Sequence, residues 1–299
     1  MSNDSKKWLF LVILSIIWGT SFILIKKSLV GLTPYQLGAL RTVVTGFILF
    51  CVGFKTIKHI KKEQWKWVAL SGFLGSFFPS FLFSIAETQI DSAVASILNS
   101  LVPLNTVLVG LAIFKITTST RQVIGVIIGF LGTVFLILEG ADLNPKQNYL
   151  FAAYVIIATL MYATNVNIIK KHLQNVKALS IATGNYVCIY IPALIVLLIT
   201  NFFSEETFHH PRFNESLFYV VFLSVFGTAI AKVIFNRLVQ ISTPIFASSV
   251  TYIMPIIAVL WGLSDGETFS FNQAFATLII LCGVYIANKK SKIKKSRDL

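Results

Sequence analysis

The chain has 299 residues, of which 56% are hydrophobic and 12% charged, with 26 phenylalanines. Soluble domains carry roughly a quarter charged residues, so this chain has too little polar material to cover a water-facing surface, and a soluble globular fold is excluded. The net charge of +13 lies between apolar runs instead of on one face, which argues against a nucleic-acid-binding protein.

In chain order, uncharged runs cover 8–25, 67–86, 92–114, 122–138, 147–169, 178–204, 216–231, 238–264 and 268–288, and residues 32–54 add a span containing Arg41. Most approach the ~17–25 residues a helix needs to cross a bilayer. The pattern predicts an all-α integral membrane protein of ten transmembrane helices. SKKWLFLVILSIIWG has the charged and apolar regions of a signal peptide, but no small-residue cleavage site follows, so residues 8–27 read as the first membrane helix. This span contains Trp18, Thr20 and Ser21, and the sixth contains Tyr162, Thr164, Asn165 and Asn167. An aromatic ring beside hydroxyls and amides suits a ligand with an apolar body and a polar head. Close packing through Gly19 and Ala163 is the alternative.

Arg41 and Lys232 are charges within spans, which makes them binding candidates. Snorkelling to the nearer interface is the other reading. The fourth and ninth spans contain Pro103 and Pro255, hinge candidates because proline interrupts the helical hydrogen bonds. Asn99, Ser100 and Asn105 surround the first proline, and Ser248, Ser249, Thr251 and Tyr252 precede the second. Helical spacing puts Ser96, Asn99 and Pro103 on one face, and Ser248, Thr251, Tyr252 and Pro255 on another. These stripes line a pathway or bond neighbouring helices. Glu87 and Glu139 fall at helix ends, so no carboxylate is expected deep in a span. Cys51, Cys188 and Cys282 lie in apolar runs without CxxC spacing and imply no disulfide framework.

With the N-terminus in the cytoplasm, 19 of the 25 lysines and arginines face inward and four, including Lys26 and Lys27, face outward. That bias satisfies the positive-inside rule with both termini cytoplasmic. The tail KKSKIKKSR, 289–297, reads as a topology determinant, with contact to anionic lipid as the alternative. The chain also repeats. WGTSFILIKK (18–27) returns as YATNVNIIKK (162–171), 144 positions later, and Gly75 onward aligns with Gly227 onward at an offset of 152. Phe83 then meets Phe235, and ASILNSLVP meets ASSVTYIMP; after one residue of slippage Gln122 and Gly132 meet Gln273 and Gly283. The expected units are 1–145 and 146–299, five helices each. An odd number of spans inverts the second unit in the membrane, a design recurrent in secondary transporters.

WGTSF in the first helix, Arg41, FGT at 226–228 and ASSVTYIMPIIAVLWGLSDGE at 247–267 resemble EamA-type transporters of the drug/metabolite transporter superfamily. Phe114-Lys115 departs from that pattern where the second half has Gly266-Glu267. The resemblance implies a ten-helix exporter of small metabolites, often amino acids or related compounds, in a bacterial inner membrane. Read with the residues, it makes Trp18, Thr20, Arg41, Asn99, Tyr162, Asn165, Lys232, Ser248, Thr251 and Tyr252 the substrate-binding candidates. The expected partners are a small-molecule substrate and membrane lipid. No cofactor or metal is expected, and one subunit is sufficient to enclose a path. A channel is the nearer alternative. A membrane-embedded enzyme is the more distant one, because all four histidines fall in predicted loops and no two aspartates share a span.

Overall fold

The computed structural model describes residues 3–113 and 120–288. Phe114, Lys115 and the basic tail at 289–297 lie outside them. Among the described residues there is no strand, and nine helices are long and apolar enough to cross a membrane. They are α1 (Asp4–Ser28), α2 (Pro34–His59), α3 (Lys62–Ala86), α4 (Ser92–Ala112), α5 (Val123–Leu143), α6 (Tyr149–His172), α7 (Ala178–Ile199), α8 (Phe213–Ile241) and α9 (Pro244–Ser264). A shorter apolar helix, α10 (Phe271–Ala287), completes a ten-helix, two-repeat bundle. Its outer wall is apolar, with Phe47, Phe130, Ile199 and Phe271 all exposed, as a lipid-facing surface requires.

Local signals start the helices. Thr33 and Gln36 form a reciprocal capping box before α2, the Thr33 amide donating to Gln36 Oε1 at 3.0 Å and the Gln36 amide to Thr33 Oγ1 at 3.3 Å. Ser270 and Gln273 repeat the device before α10.

Both halves interrupt the same helices. α4 breaks between Ser92–Asn99 and Val102–Ala112, and α9 between Pro244–Ser248 and Met254–Ser264, with a 3-10 turn over Ser249–Tyr252. Pro103 and Pro255 stand in the first turn of the second segments, where proline's missing N–H is harmless. They begin a new segment and do not kink a continuous one, so each stands where its helix is interrupted. The first part of α4 packs on the second part of α9, and the first part of α9 on the second part of α4, so the two helices cross at their breaks. α3 and α8 widen into π-helical turns at Phe73–Phe77 and Leu223–Ile230, positions that correspond at the offset of 152.

α8 runs beyond the uncharged stretch at 216–231. It continues past Lys232 and Arg237 to Ile241, so Lys232 is nine residues from the helix end. Burial against the neighbouring helices lets the helix tolerate Lys232, whereas Arg237 is exposed near the helix end.

α5 and α10 meet through glycine. A Cβ on Gly125 would stand 2.5 Å from the Gly283 carbonyl oxygen, and one on Gly132 would stand 2.9 Å from the Ile280 amide nitrogen. Small residues permit this backbone approach, which is how helices associate in lipid. Gly132→Val is therefore expected to destabilise the detergent-purified protein by about 1–3 kcal/mol, read as a lower melting temperature. An unchanged melting temperature would contradict the close packing of α5 on α10.

Candidate functional site

The broken helices and the π-turns surround a cavity whose empty space, mouth included, is about 1010 Å³. Its lining repeats from half to half. α1 presents Trp18, Ser21 and Phe22, and α6 presents Tyr162, Asn165 and Val166, at the offset of 144. α3 presents Gly75, Ser76, Ser80 and Phe83, and α8 presents Gly227, Thr228, Lys232 and Phe235, at the offset of 152. Asn99 and Val102 of α4 answer Thr251 and Met254 of α9.

The contacts repeat as well. The Trp18 ring lies 5.0 Å from that of Phe235, and the Tyr162 ring 6.0 Å from that of Phe83. Glycine in each π-turn lets the neighbouring helix approach: a Cβ on Gly227 would stand 2.7 Å from Ser21 Oγ, and one on Gly75 would stand 2.6 Å from the Asn165 side-chain amide carbon. Trp18 Nε1 donates to the Gly227 carbonyl at 2.9 Å, and Ser71 Oγ to Asn165 Oδ1 at 2.6 Å. A π-turn leaves backbone carbonyls imperfectly bonded, and Trp18 uses one of them.

Charge breaks the symmetry. Arg41 of α2 donates through Nε to Thr228 Oγ1 at 2.8 Å. Lys232 of α8 donates through Nζ to Ser76 Oγ at 2.6 Å and to the Gly75 carbonyl at 3.3 Å. Each cation thus crosses to the other half and bonds a hydroxyl, and the two hydroxyls occupy equivalent π-turn positions. Lys232 is 7% exposed, and Arg41 turns to Thr228 on the cavity wall. No Asp or Glu is among the lining residues.

Eight of the ten sequence candidates line this cavity: Trp18, Arg41, Asn99, Tyr162, Asn165, Lys232, Ser248 and Thr251. Thr20 and Tyr252 do not. Thr20 is two residues from Trp18, hence on another side of α1, where Trp261 Nε1 donates to its hydroxyl at 3.1 Å. In the 3-10 turn of α9, with about three residues per turn, Thr251 follows Ser248 on one face and Tyr252 swings off it. Pro103 and Pro255 are also outside the lining. Sequence reasoning passed over Ser76, Phe83, Tyr186, Thr228 and Phe235 as cavity residues. The repeat offset itself was the signal for most of them, because it pairs Ser76 with Thr228 and Phe83 with Phe235.

A model of the EamA-like transporter family matches residues 6–138 and again residues 150–289. The chain belongs to the EamA-like transporter family. It is a multi-pass membrane transporter, in agreement with the resemblance carried by WGTSF and the 247–267 segment. An Archaeoglobus fulgidus protein named as an uncharacterized transporter is 25% identical over 289 residues, covering 95% of this chain and 99% of its own. The Escherichia coli K12 protein named uncharacterized inner membrane transporter YedA is 25% identical over 285 residues, covering 91% and 90%. Protein PecM of Dickeya dadantii is 23% identical, covering 93% of each chain. A solved crystal structure at 18% identity superposes with a TM-score of 0.66 over 96% of this chain and 97% of that one, which shows the shared fold.

One end of this family bundle is closed by charge. Glu267 Oε1 accepts from Lys26 Nζ at 2.8 Å, from the Ser92 amide at 3.0 Å and from the Ser92 hydroxyl at 2.7 Å, while Oε2 accepts from the Ala93 amide at 3.1 Å. Asp265 pairs with Lys26 at 3.0 Å and with Lys27. Burial pushes the Asp265 carboxyl up, but Lys27 and Lys26 outweigh it and hold it below its ordinary value. At the opposite end Lys170, which matches Lys26 in the repeat, meets carbonyls of its own half, with Ser242 O at 2.6 Å.

Glu87, beside this cluster, is 6% exposed and neither carboxylate oxygen has a hydrogen-bond partner. The sequence placed it at a helix end and gave no sign of its burial. Burial, then the Glu267 charge, raises the Glu87 carboxyl well above its ordinary value against the pull of Lys26 and Arg41. Its proton is held more tightly in the folded chain than in the unfolded one. Its contribution to stability is thus complete below the ordinary carboxylate value of about 4.3 and is lost as pH rises through the raised one. Melting temperature is expected to fall more steeply with rising pH in the wild type than in Glu87→Gln, and parallel profiles would contradict the raised value.

Proposed function

We propose that the protein is a secondary transporter that holds one small organic solute, an amino acid or a similar zwitterion or anion, in the cavity and releases it by alternating access of the two halves. The observation that carries this reading is the two-fold lining of one cavity by the two repeats. Two packings related by that pseudo-symmetry are close in energy, so each exposes the cavity to one side. Arg41 and Lys232 provide the polar grip, and Trp18, Tyr162, Phe83 and Phe235 pack the apolar body. We place the protein in a bacterial inner membrane with both termini in the cytoplasm, which puts Lys26 and Lys27 outside. Export is the direction implied by the family resemblance.

A carrier is favoured over a channel because one chain encloses the cavity, whereas channels usually obtain a pore from oligomeric symmetry. The test is uptake into vesicles reconstituted with the purified protein, against labelled amino acids, organic acids and nucleosides. Saturable flux that accelerates when unlabelled solute is loaded on the far side is expected. Flux that never saturates and shows no such acceleration would establish a channel. Asn99→Ala removes a buried amide from the lining, and the loss of about 1–3 kcal/mol typical of a buried hydrogen bond predicts a fall in kcat/KM on the order of tenfold. Thr20→Ala, off the cavity, is expected to leave transport unchanged. Equal activity of the two variants would contradict the placement of the site.

A further inference from the structure

No carboxylate lines the cavity beside its two cations. Lys232 has three N–H donors; two of them go to Ser76 Oγ and the Gly75 carbonyl, both neutral acceptors, and one remains. Arg41 commits Nε to Thr228 Oγ1, and its two terminal nitrogens have no hydrogen-bond partner among the described residues. Thr228 and Lys232 are four residues apart on α8, so the two cations converge on one stretch of the cavity wall. Burying a charge without a partner is costly, and two like charges in one cavity add their repulsion. Of the carboxylates at the end of the bundle, Glu87 feels Arg41, but burial and the Glu267 charge raise its carboxyl well above its ordinary value and favour the neutral form, while Glu267 and Asp265 are engaged with Lys26, Lys27 and the start of α4.

We propose that the cavity selects solutes with net negative charge on an apolar or aromatic body and discriminates against the amino acid of the same body. The proposal rests on the cavity being the solute site, as in the transport reading, and narrows that reading. A zwitterion brings one carboxylate for two cations and adds a third positive charge. The ammonium of that zwitterion would find neutral acceptors, such as the unpartnered Oδ1 of Asn99, and no carboxylate. A dianion, or a 2-oxo acid whose carboxylate and keto oxygen both accept, satisfies the free guanidinium and ammonium donors together. Charge-assisted bonds of this kind are roughly twice as strong as neutral ones. The rest of the wall is aromatic, with Trp18, Tyr162 and Tyr186 beside Phe22, Phe83 and Phe235, so the body that accompanies the charge is apolar.

A charge series on one phenyl body tests this: phenylsuccinate, phenylpyruvate, phenylalanine and phenethylamine, which carry two negative charges, one, none net, and one positive. Two readouts are taken on the intact protein, namely thermal stabilisation of the detergent-purified form and competition for flux in reconstituted vesicles. The expected order of apparent affinity is phenylsuccinate, then phenylpyruvate, then phenylalanine, then phenethylamine. Phenylpyruvate is expected to lead phenylalanine by about tenfold or more, the scale of one charged hydrogen bond. Lys232→Gln is expected to reduce that lead and Lys232→Arg to keep it, which separates lost charge from lost folding. Phenylalanine or phenethylamine equal to or better than the anions, in either readout, overturns the inference and leaves the transport reading standing. Stabilisation in the expected order without flux of any solute supports the charge selection and sinks the transport reading. Stabilisation by none of the four overturns the inference.

Discussion

The arrangement depends on one carboxylate. Gly266, with φ of +86°, ends α9 in a Schellman turn, its amide bonding Leu263 O at 3.2 Å and the Glu267 amide bonding Gly262 O at 2.9 Å. That turn sends the Glu267 side chain back across the bundle to the first amides of α4. α4 is broken at its middle, so its first segment is only two turns long and depends heavily on a cap. Asp91 does not cap it. Glu267, from the other half of the chain, supplies the missing acceptor, complements the helix dipole and takes the charge of Lys26. A single group therefore joins α1, α4 and the α9–α10 connection.

Among the described residues this closure has no match at the other end. Lys170 stands where Lys26 stands in the first half, yet bonds carbonyl oxygens at the end of α8. The residue equivalent to Glu267 is Lys115. The repeat supplies a symmetric cavity, and substitutions at few positions break that symmetry. Ser80 in one half is Lys232 in the other, and Glu267 in one half is Lys115 in the other. The two halves thus differ mainly in charge, while glycines, aromatics and hydroxyls repeat the shape.

The ten helices were legible in the sequence because the bilayer forces long uncharged runs, and the repeat was legible because glycine, proline and aromatic positions hold one offset. Trp18 and Tyr162 stood out as matched aromatic residues, and Arg41 and Lys232 as charges in apolar spans. What escaped was phase and reach. A 3.6-residue period placed Tyr252 with Thr251, and a 3-10 turn separates them. The uncharged run ends at 231, and the eighth helix continues beyond it to Ile241 with Lys232 buried against its neighbours. The burial of Glu87 and the pairing of Lys26 with Glu267 join residues far apart in sequence. No local pattern announces them.

The central claim is that the cavity opens in turn to either side of the membrane, with the Glu267 cluster holding one side shut. A single cysteine at Asn99, in a variant whose Cys51, Cys188 and Cys282 are replaced by alanine, reports this directly with a membrane-impermeant maleimide applied to oriented vesicles. The account predicts labelling from both sides, with Glu267→Gln increasing labelling from the Lys26 side and reducing it from the other. Labelling confined to one side in both proteins, with no response to Glu267→Gln, would contradict alternating access through this cavity.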